Sequence, residues 1–212
     1  MKKIVILNII LIILLFGISI YFYSQLPDRI VSHWDAHGNP NGSMGKFFGI
    51  FLIPLITLGI FLLFLVIPLI DPLKDNIKKF MNYYQGFIFS MILFLSLIQV
   101  HLILWNIGIE VPTNFIIPLG VGVLFIFIGV LIKHSKRNWF IGIRTPWTLS
   151  SDKVWDETHR VGSKLFILSG IISLVGLFFP NYVFWFILIP VLFTALFCVV
   201  YSYLVWKKII KK

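Results

Sequence analysis

The amino-acid sequence predicts an all-α membrane protein built as a bundle of six transmembrane helices. The chain is 59% hydrophobic and only 12% charged, so it carries more apolar surface than a water-soluble domain can bury. Each long apolar run approaches the length that a helix needs to cross about 30 Å of hydrocarbon. The six runs cover residues 4–23, 47–70, 81–105, 115–132, 163–179 and 182–206.

The positive charges predict the orientation of this bundle. With the N-terminus in the cytoplasm, all but two of the 18 Lys and Arg residues, from Lys2 to Lys212, fall on the cytoplasmic side. The two exceptions are Arg29 and Lys46. Because cytoplasmic loops are enriched in Lys and Arg, we expect a multi-pass protein of the cell membrane with both termini inside.

The net charge of +10 does not by itself indicate a nucleic-acid partner. The basic residues flank the ends of the apolar runs on one side, where they orient the chain and meet anionic lipid. We therefore expect the lipid bilayer as a partner and no direct nucleic-acid binding. The single cysteine, Cys198, lies inside the last run, which excludes an intramolecular disulfide.

The first apolar run resembles the start of a signal peptide, because Lys2 and Lys3 precede it. The run is too long for a usual signal-peptide core, and residues 21–25 offer no cleavage site of small side chains. We predict an uncleaved first transmembrane helix.

Two of the connections between runs are long, residues 25–46 outside and residues 134–162 inside. They give the chain two halves, residues 1–105 and 106–212, and each half reads as a helix, a long loop and a pair of helices. The halves begin on opposite sides, which is the outline of a 3+3 inverted repeat. This outline makes a small-molecule or lipid transporter an alternative function.

The centres of the apolar runs carry no Asp, Glu, Lys or Arg. Coupled transporters usually place an ionisable group at that depth. The nearest candidates are Gln99 and His101, and a lone His in an apolar helix more often forms a helix–helix hydrogen bond than a proton relay. The composition of the runs therefore weakens the transporter alternative.

The outer loop contains a candidate metal site or toxin-facing surface. If residues 30–37 are extended, His33, Asp35 and His37 lie on one face and could hold Zn²⁺ or Cu²⁺. The favoured alternative is a folded cap whose His and Asp side chains bond to the backbone of the turn at residues 38–42. Trp34 then points the other way, towards the bundle or the headgroups. We assign no cofactor.

The inner loop is predicted to contain an amphipathic helix. Thr145 precedes Pro146, which favours an extended backbone at Thr145. Ser150 or Ser151 can cap a helix that begins near Asp152 and runs into the fifth span. The apolar residues with helical spacing are Val154, Trp155, Thr158, Val161 and Leu165. The expected i,i+4 ion pairs are Lys153–Glu157 and Asp156–Arg160.

The same loop is a candidate cytoplasmic binding surface. Arg side chains suit phosphate or carboxylate groups, and Trp side chains offer flat apolar contact. Residue types alone leave two interpretations equally open, a protein-binding surface and an anchor that contacts lipid headgroups. The candidate residues are Arg144, Thr145, Pro146, Trp147, Trp155, His159 and Arg160.

A specific motif in the inner loop resembles the signature of the SdpI family of bacterial membrane proteins. It consists of Ile-Gly-Ile-Arg-Thr-Pro-Trp-Thr-Leu at residues 141–149, Val154-Trp155, and Thr-His-Arg at residues 158–160. The outer loop, from Leu26-Pro27 through His33-Trp34 to Gly-Asn-Pro at residues 38–40, is similar to an uncharacterised domain that often precedes this signature.

The resemblance implies an immunity protein and no enzymatic activity. Such a protein gives resistance to a secreted antimicrobial peptide or toxin, and it also signals by holding a cytoplasmic repressor at the membrane. In this protein the outer loop would then face the toxin through His33, Trp34, Asp35 and His37, and the inner loop would face the repressor. No catalytic residue is assigned.

Overall fold

The computed structural model describes residues 2–210 and confirms a bundle of six long apolar helices, each able to span a membrane. The shortest of them have 22 residues, or about 33 Å at about 1.5 Å per residue. The positive charges expected at Lys211 and Lys212 lie outside the described residues. The six helices are α1 (Lys2–Tyr23), α2 (Lys46–Ile70), α4 (Met81–Asn106), α5 (Thr113–His134), α7 (Asp152–Val175) and α8 (Val183–Ile210).

Short elements connect these helices. A β-hairpin of two antiparallel strands, β1 (Arg29–Trp34) and β2 (Pro40–Gly45), joins α1 to α2. Helix α3 (Lys74–Lys78) follows α2, helix α6 (Pro146–Ser150) precedes α7, and a 3₁₀ turn (Gly176–Phe178) follows α7. We call the end of the bundle that carries β1 and β2 the hairpin end. The opposite end, with residues 71–80 and 135–151, is the motif end.

The extended conformation considered for residues 30–37, on which the metal site depends, continues only as far as Trp34. The chain turns at residues 35–39, earlier than the turn expected at residues 38–42, and returns as β2. The reason is local: Asp35 accepts backbone hydrogen bonds from His37 (2.8 Å) and Asn39 (2.9 Å), which closes the turn immediately after β1. The hairpin packs on the bundle through Ile30, which is fully buried beside Ile50 and Leu102.

Helices α5 and α7 approach each other closely because glycines line their contact. A Cβ atom on Gly170 would lie 2.5 Å from the carbonyl oxygen of Gly122. A Cβ atom on Gly129 would lie 2.7 Å from the carbonyl oxygen of Ser163. Small residues let backbones meet in this way where no hydrophobic effect drives helices together. The contact fixes α7 against the second half of the bundle, and α7 carries part of the motif.

Helix α7 is continuous from Asp152 through the fifth apolar run. This confirms the prediction that an amphipathic helix begins near Asp152 and runs into the fifth span. Ser151 is the N-cap residue, but its side chain forms no capping hydrogen bond. Thr145 has the extended backbone that Pro146 predicts, with φ −111° and ψ 162°.

Candidate functional site

The loop at the motif end folds around the side chain of Asn138, which is fully buried. Its oxygen accepts the backbone N–H groups of Phe140 (3.0 Å) and Ile141 (2.6 Å). Its nitrogen donates to the carbonyl oxygens of Lys136 (2.8 Å) and Ile141 (2.9 Å). One amide group therefore satisfies four backbone groups and defines the path of the chain into the motif.

Asp71 ties this loop to the first half of the chain. The carboxylate is 2% exposed and accepts the backbone N–H of Trp139 at 2.9 Å and that of Leu73 at 2.6 Å. A second bond runs in parallel, because Asn76 donates to the carbonyl oxygen of Arg137 at 2.8 Å. The two ties place the motif directly against the α2–α4 connection.

His159 and Trp155 form the centre of the motif, and both are buried. The Nε2 atom of His159 accepts the backbone N–H of Ile143 at 2.9 Å, so its Nδ1 carries the hydrogen that is donated to the carbonyl oxygen of Trp155 at 2.8 Å. The imidazole stacks on the indole with ring centroids 4.0 Å apart. Gly142 has φ +118°, and a Cβ atom there would lie 2.5 Å from His159 Nε2.

Thr145 and Thr148 fix the next part of the motif. Their side chains form a reciprocal capping box at the start of α6. Thr145 Oγ1 also lies 2.9 Å from Ser202 Oγ, which links the motif to α8. Trp147 is half-buried and packs against Tyr203 of the same helix, with ring centroids 5.2 Å apart.

The structure therefore divides the candidate binding residues into two groups. Thr145, Trp155 and His159 are buried and hold the loop together, so their side chains are not presented to a partner. Arg144, Pro146 and Arg160 are exposed, and Trp147 is half-exposed. Arg144 is oriented by a 2.7 Å hydrogen bond to the carbonyl oxygen of Trp139. The sequence did not single out Trp139, although its side chain is 50% exposed beside Arg144.

The expected i,i+4 ion pairs are wrong. Arg160 pairs with Glu157 at 2.7 Å, and Asp156 pairs with Lys136 at 3.2 Å. A further pair joins Arg137 to Asp152 at 2.6 Å. The loop before α6 runs beside the first turns of α7, so Lys136 and Arg137 of this loop pair with carboxylates of α7. Residue spacing within α7 alone cannot predict these pairs.

At the hairpin end, two of the three candidate metal ligands, His33 and Asp35, have other partners. His33 Nδ1 lies 2.6 Å from Asn41 Oδ1. The hydrogen bond from the Asn39 backbone N–H is the main reason that the pKa of Asp35 lies below its usual value. Within residues 2–210, no three His, Cys, Asp or Glu side chains are grouped so that they could hold a metal ion. The geometry matches the alternative of a folded cap.

Trp34 points into the bundle, which is one of the two directions that the sequence left open for it. Its ring packs between His101 and Trp105, with centroids 5.0 Å and 5.5 Å away. His101 Nε2 lies 3.1 Å from Thr113 Oγ1, and Gln99 donates to Ser19 Oγ and to the Ile50 carbonyl oxygen. Both residues join helices by hydrogen bonds, and for His101 this is the role that the sequence favoured over a proton relay.

The hairpin is held across both halves of the chain. The side chain of Asn106 accepts from the Val31 N–H at 2.7 Å and donates to the Val31 carbonyl oxygen at 2.9 Å. Asn114 of α5 donates to the His37 carbonyl oxygen at 2.9 Å. A cavity of about 200 Å³ lies between the hairpin turn, α5 and α8, and Trp34, Asp35 and Ala36 form one side of it.

Comparison with known proteins finds one match that includes the inner loop and another that includes the outer loop. The profile of the SdpI/YfhL protein family matches residues 134–202, and the domain of unknown function DUF1648 matches residues 10–58. The immunity protein SdpI of Bacillus subtilis (strain 168) is 31% identical over 210 residues, which cover 99% of this chain and 98% of that protein. No solved structure matches this chain significantly. Similarity over almost the full length of both chains shows that this protein belongs to the SdpI family.

Proposed function

We propose that this protein is a membrane immunity protein that gives resistance to a secreted antimicrobial peptide. The observation that carries the proposal is the similarity to the immunity protein SdpI, which extends over 99% of the chain and includes both ends of the bundle. In this proposal the hairpin end faces the outside and meets the toxin. The motif end faces the cytoplasm and recruits a repressor.

The distribution of free charge supports this orientation. At the motif end the exposed cations that form no ion pair with any residue between 2 and 210 include Lys74, Lys133 and Lys153. At the hairpin end both cations are engaged, since Arg29 donates to the Ser43 carbonyl oxygen at 3.1 Å and Lys46 to that of Leu26 at 3.2 Å. Positive charge that remains free favours the cytoplasmic side.

Toxin resistance is tested by expressing the chain in a Bacillus subtilis strain that lacks its immunity protein SdpI. We expect survival to rise when cells are challenged with a panel of secreted membrane-active peptides. Deletion of the gene in its own host should raise sensitivity to at least one of these peptides. Unchanged survival with every peptide, at a verified level of the protein in the membrane, would refute the proposal.

The toxin-facing part of the proposal centres on the cavity beside the hairpin turn. Ala36 is exposed and lines that cavity, so Ala36→Trp should obstruct it and lower resistance. Ser24 is exposed at the same end of the bundle, and Ser24→Trp is the matched control. Equal resistance in the two variants would show that the toxin does not contact the cavity.

The repressor-facing part centres on Arg144, Trp147 and Arg160, the candidate residues that combine exposure with charge or aromatic area. A cytoplasmic repressor should be captured by the membrane-embedded protein in a pull-down, and Arg144→Ala and Trp147→Ala should each lose it. Lys78→Ala, an exposed cation of the neighbouring connection, is the control. Capture that survives both substitutions would exclude those side chains as contacts.

A further inference from the structure

A long apolar groove runs along the bundle between α4 and α5. It has a volume of about 540 Å³, and its walls include Phe89, Leu93 and Val100 from α4 and Leu119 and Phe127 from α5. From Phe89 to Val100 the groove extends about 16 Å along the helix axis. The groove begins about 12 Å from Met81, where α4 starts at the motif end, so it lies around the middle of the hydrocarbon, which is about 30 Å thick.

The groove offers no polar group to an occupant. Its two serines both bond to their own helix, Ser90 Oγ to the Phe87 carbonyl oxygen at 2.8 Å and Ser96 Oγ to that of Ile92 at 2.8 Å. The side chain of Leu93 is 49% exposed along the groove. A surface of this kind is complementary to a hydrocarbon chain and not to a polar solute.

Polar groups gather where α4 and α5 reach the motif end. Tyr83 of α4 stacks on His134 of α5, with ring centroids 3.7 Å apart and planes 8° from parallel. His134 Nδ1 donates to the Val130 carbonyl oxygen at 2.9 Å, which leaves its other nitrogen as an acceptor. Lys133 is exposed and forms no ion pair with any residue between 2 and 210.

The spacing between these two features fits a single amphiphilic molecule. Lys133 lies about 9 Å beyond Phe127 along α5, so a cation and a phenol hydroxyl follow the motif-side end of the apolar groove. A phosphate is attracted by the ammonium group and accepts hydrogen bonds from it and from the hydroxyl of Tyr83. The chemistry required is an anionic head joined to an extended hydrocarbon chain that enters the groove at Phe89 and runs towards Val100, about 26 Å from the level of Tyr83.

We propose that the α4–α5 groove is a binding site for an anionic phospholipid. One acyl chain occupies the groove from Phe89 to Val100, and the phosphate contacts Lys133 and Tyr83 at the motif end. The site is separate from the hairpin-end cavity and from the exposed residues of the motif. Its existence does not depend on the immunity role.

The test is native mass spectrometry of the full-length protein in detergent, titrated with phosphatidylglycerol or with phosphatidylcholine. We expect phosphatidylglycerol to bind more tightly. Lys133→Ala should weaken phosphatidylglycerol binding about fivefold, the effect of losing one membrane-proximal cation. It should weaken phosphatidylcholine binding less, because the choline cation offsets the charge of the phosphate. Lys164→Ala, an exposed cation on α7, should change neither.

A second pair of variants tests the groove itself. Val123 lines the groove, and Val123→Trp should reduce the binding of both lipids. Leu196 of α8 is 69% exposed to the surroundings, and Leu196→Trp should have no effect. Equal lipid binding by these two variants would overturn the proposal. So would a dimer that Val123→Trp abolishes, because the groove would then hold a second copy of the chain.

Discussion

Gly142→Ala, which adds a single methyl group, should destabilise the motif. The residue has φ +118°, a region that side-chain-bearing residues rarely adopt. The added Cβ would lie 2.5 Å from Nε2 of His159, well inside van der Waals contact. The imidazole must move, and its 2.9 Å hydrogen bond with the Ile143 N–H is then lost.

The magnitude follows from these two effects. A non-glycine residue in a strained backbone region costs about 1–3 kcal/mol. A buried N–H left without its acceptor costs about 1–3 kcal/mol. The effects overlap, since movement of the loop relieves both, so we expect a total of about 2–5 kcal/mol. That is a large part of the stability of an ordinary domain, about 5–15 kcal/mol.

The assay is unfolding of the purified protein in mixed micelles, titrated with sodium dodecyl sulfate and followed by circular dichroism. Gly59→Ala in α2 is the control, because a Cβ atom there meets no heavy atom within 4 Å, and it should be neutral or stabilising by up to about 1 kcal/mol. A change of less than about 0.5 kcal/mol for Gly142→Ala would refute the reasoning.

A double-mutant cycle with His159→Ala separates the two causes. If the contact with the imidazole matters, Gly142→Ala should cost less in the His159→Ala protein than in the wild type. Equal costs in the two backgrounds would show that backbone strain alone is responsible.

Three further predictions concern packing, the tie between the halves, and pH. Gly170→Ala places a Cβ 2.5 Å from the Gly122 carbonyl oxygen and should cost about 1–3 kcal/mol; an unchanged thermal unfolding midpoint would contradict it. Asp71→Ala leaves the part-buried N–H of Trp139 without its charged acceptor and should cost about 1–3 kcal/mol. Asp71→Asn, which keeps one acceptor oxygen, should cost less, and equal unfolding free energies for the two variants would argue against the tie. The pKa of Asp35 is lowered, chiefly by a backbone hydrogen bond from Asn39. The ionised carboxylate therefore stabilises the hairpin turn fully above the unfolded-state pKa of about 3.9. This stabilisation is lost as the pH falls through the lower folded-state pKa. Amide hydrogen exchange in the turn should report that acid-dependent loosening, and the same dependence in Asp35→Asn would exclude Asp35 as its source.

The lengths of the apolar runs and the turn-forming residues between them predicted the helices. A segment that crosses the hydrocarbon must satisfy its own backbone hydrogen bonds, and this requirement applies to each segment separately. The apolar runs became the six long helices, and Pro146 and Asp152 marked local structure correctly at the motif end. These predictions need only neighbouring residues. They do not depend on which helix packs against which.

The internal design of the candidate site was less accessible to sequence reasoning. Trp155 was interpreted as a contact residue, yet it is fully buried beside His159. Asp71 reads as the start of a charged turn, but it is buried because a loop 68 residues later brings the Trp139 N–H to it. Such pairings follow from the tertiary arrangement, and no short-range spacing encodes them. Gly142 was the one available signal, since a glycine next to a buried aromatic pair indicates a close approach.

The ties between the halves also limit how this bundle can move. Asp71 and Asn76 hold the motif loop at one end, and Asn114 holds the hairpin at the other. Alternating access by rocking one three-helix half against the other opens one end as it closes the opposite one. Here such rocking would break hydrogen bonds at both ends in turn, including those of a buried carboxylate. These hydrogen bonds therefore oppose rocking of the two halves and favour one fixed arrangement of the two ends of the bundle.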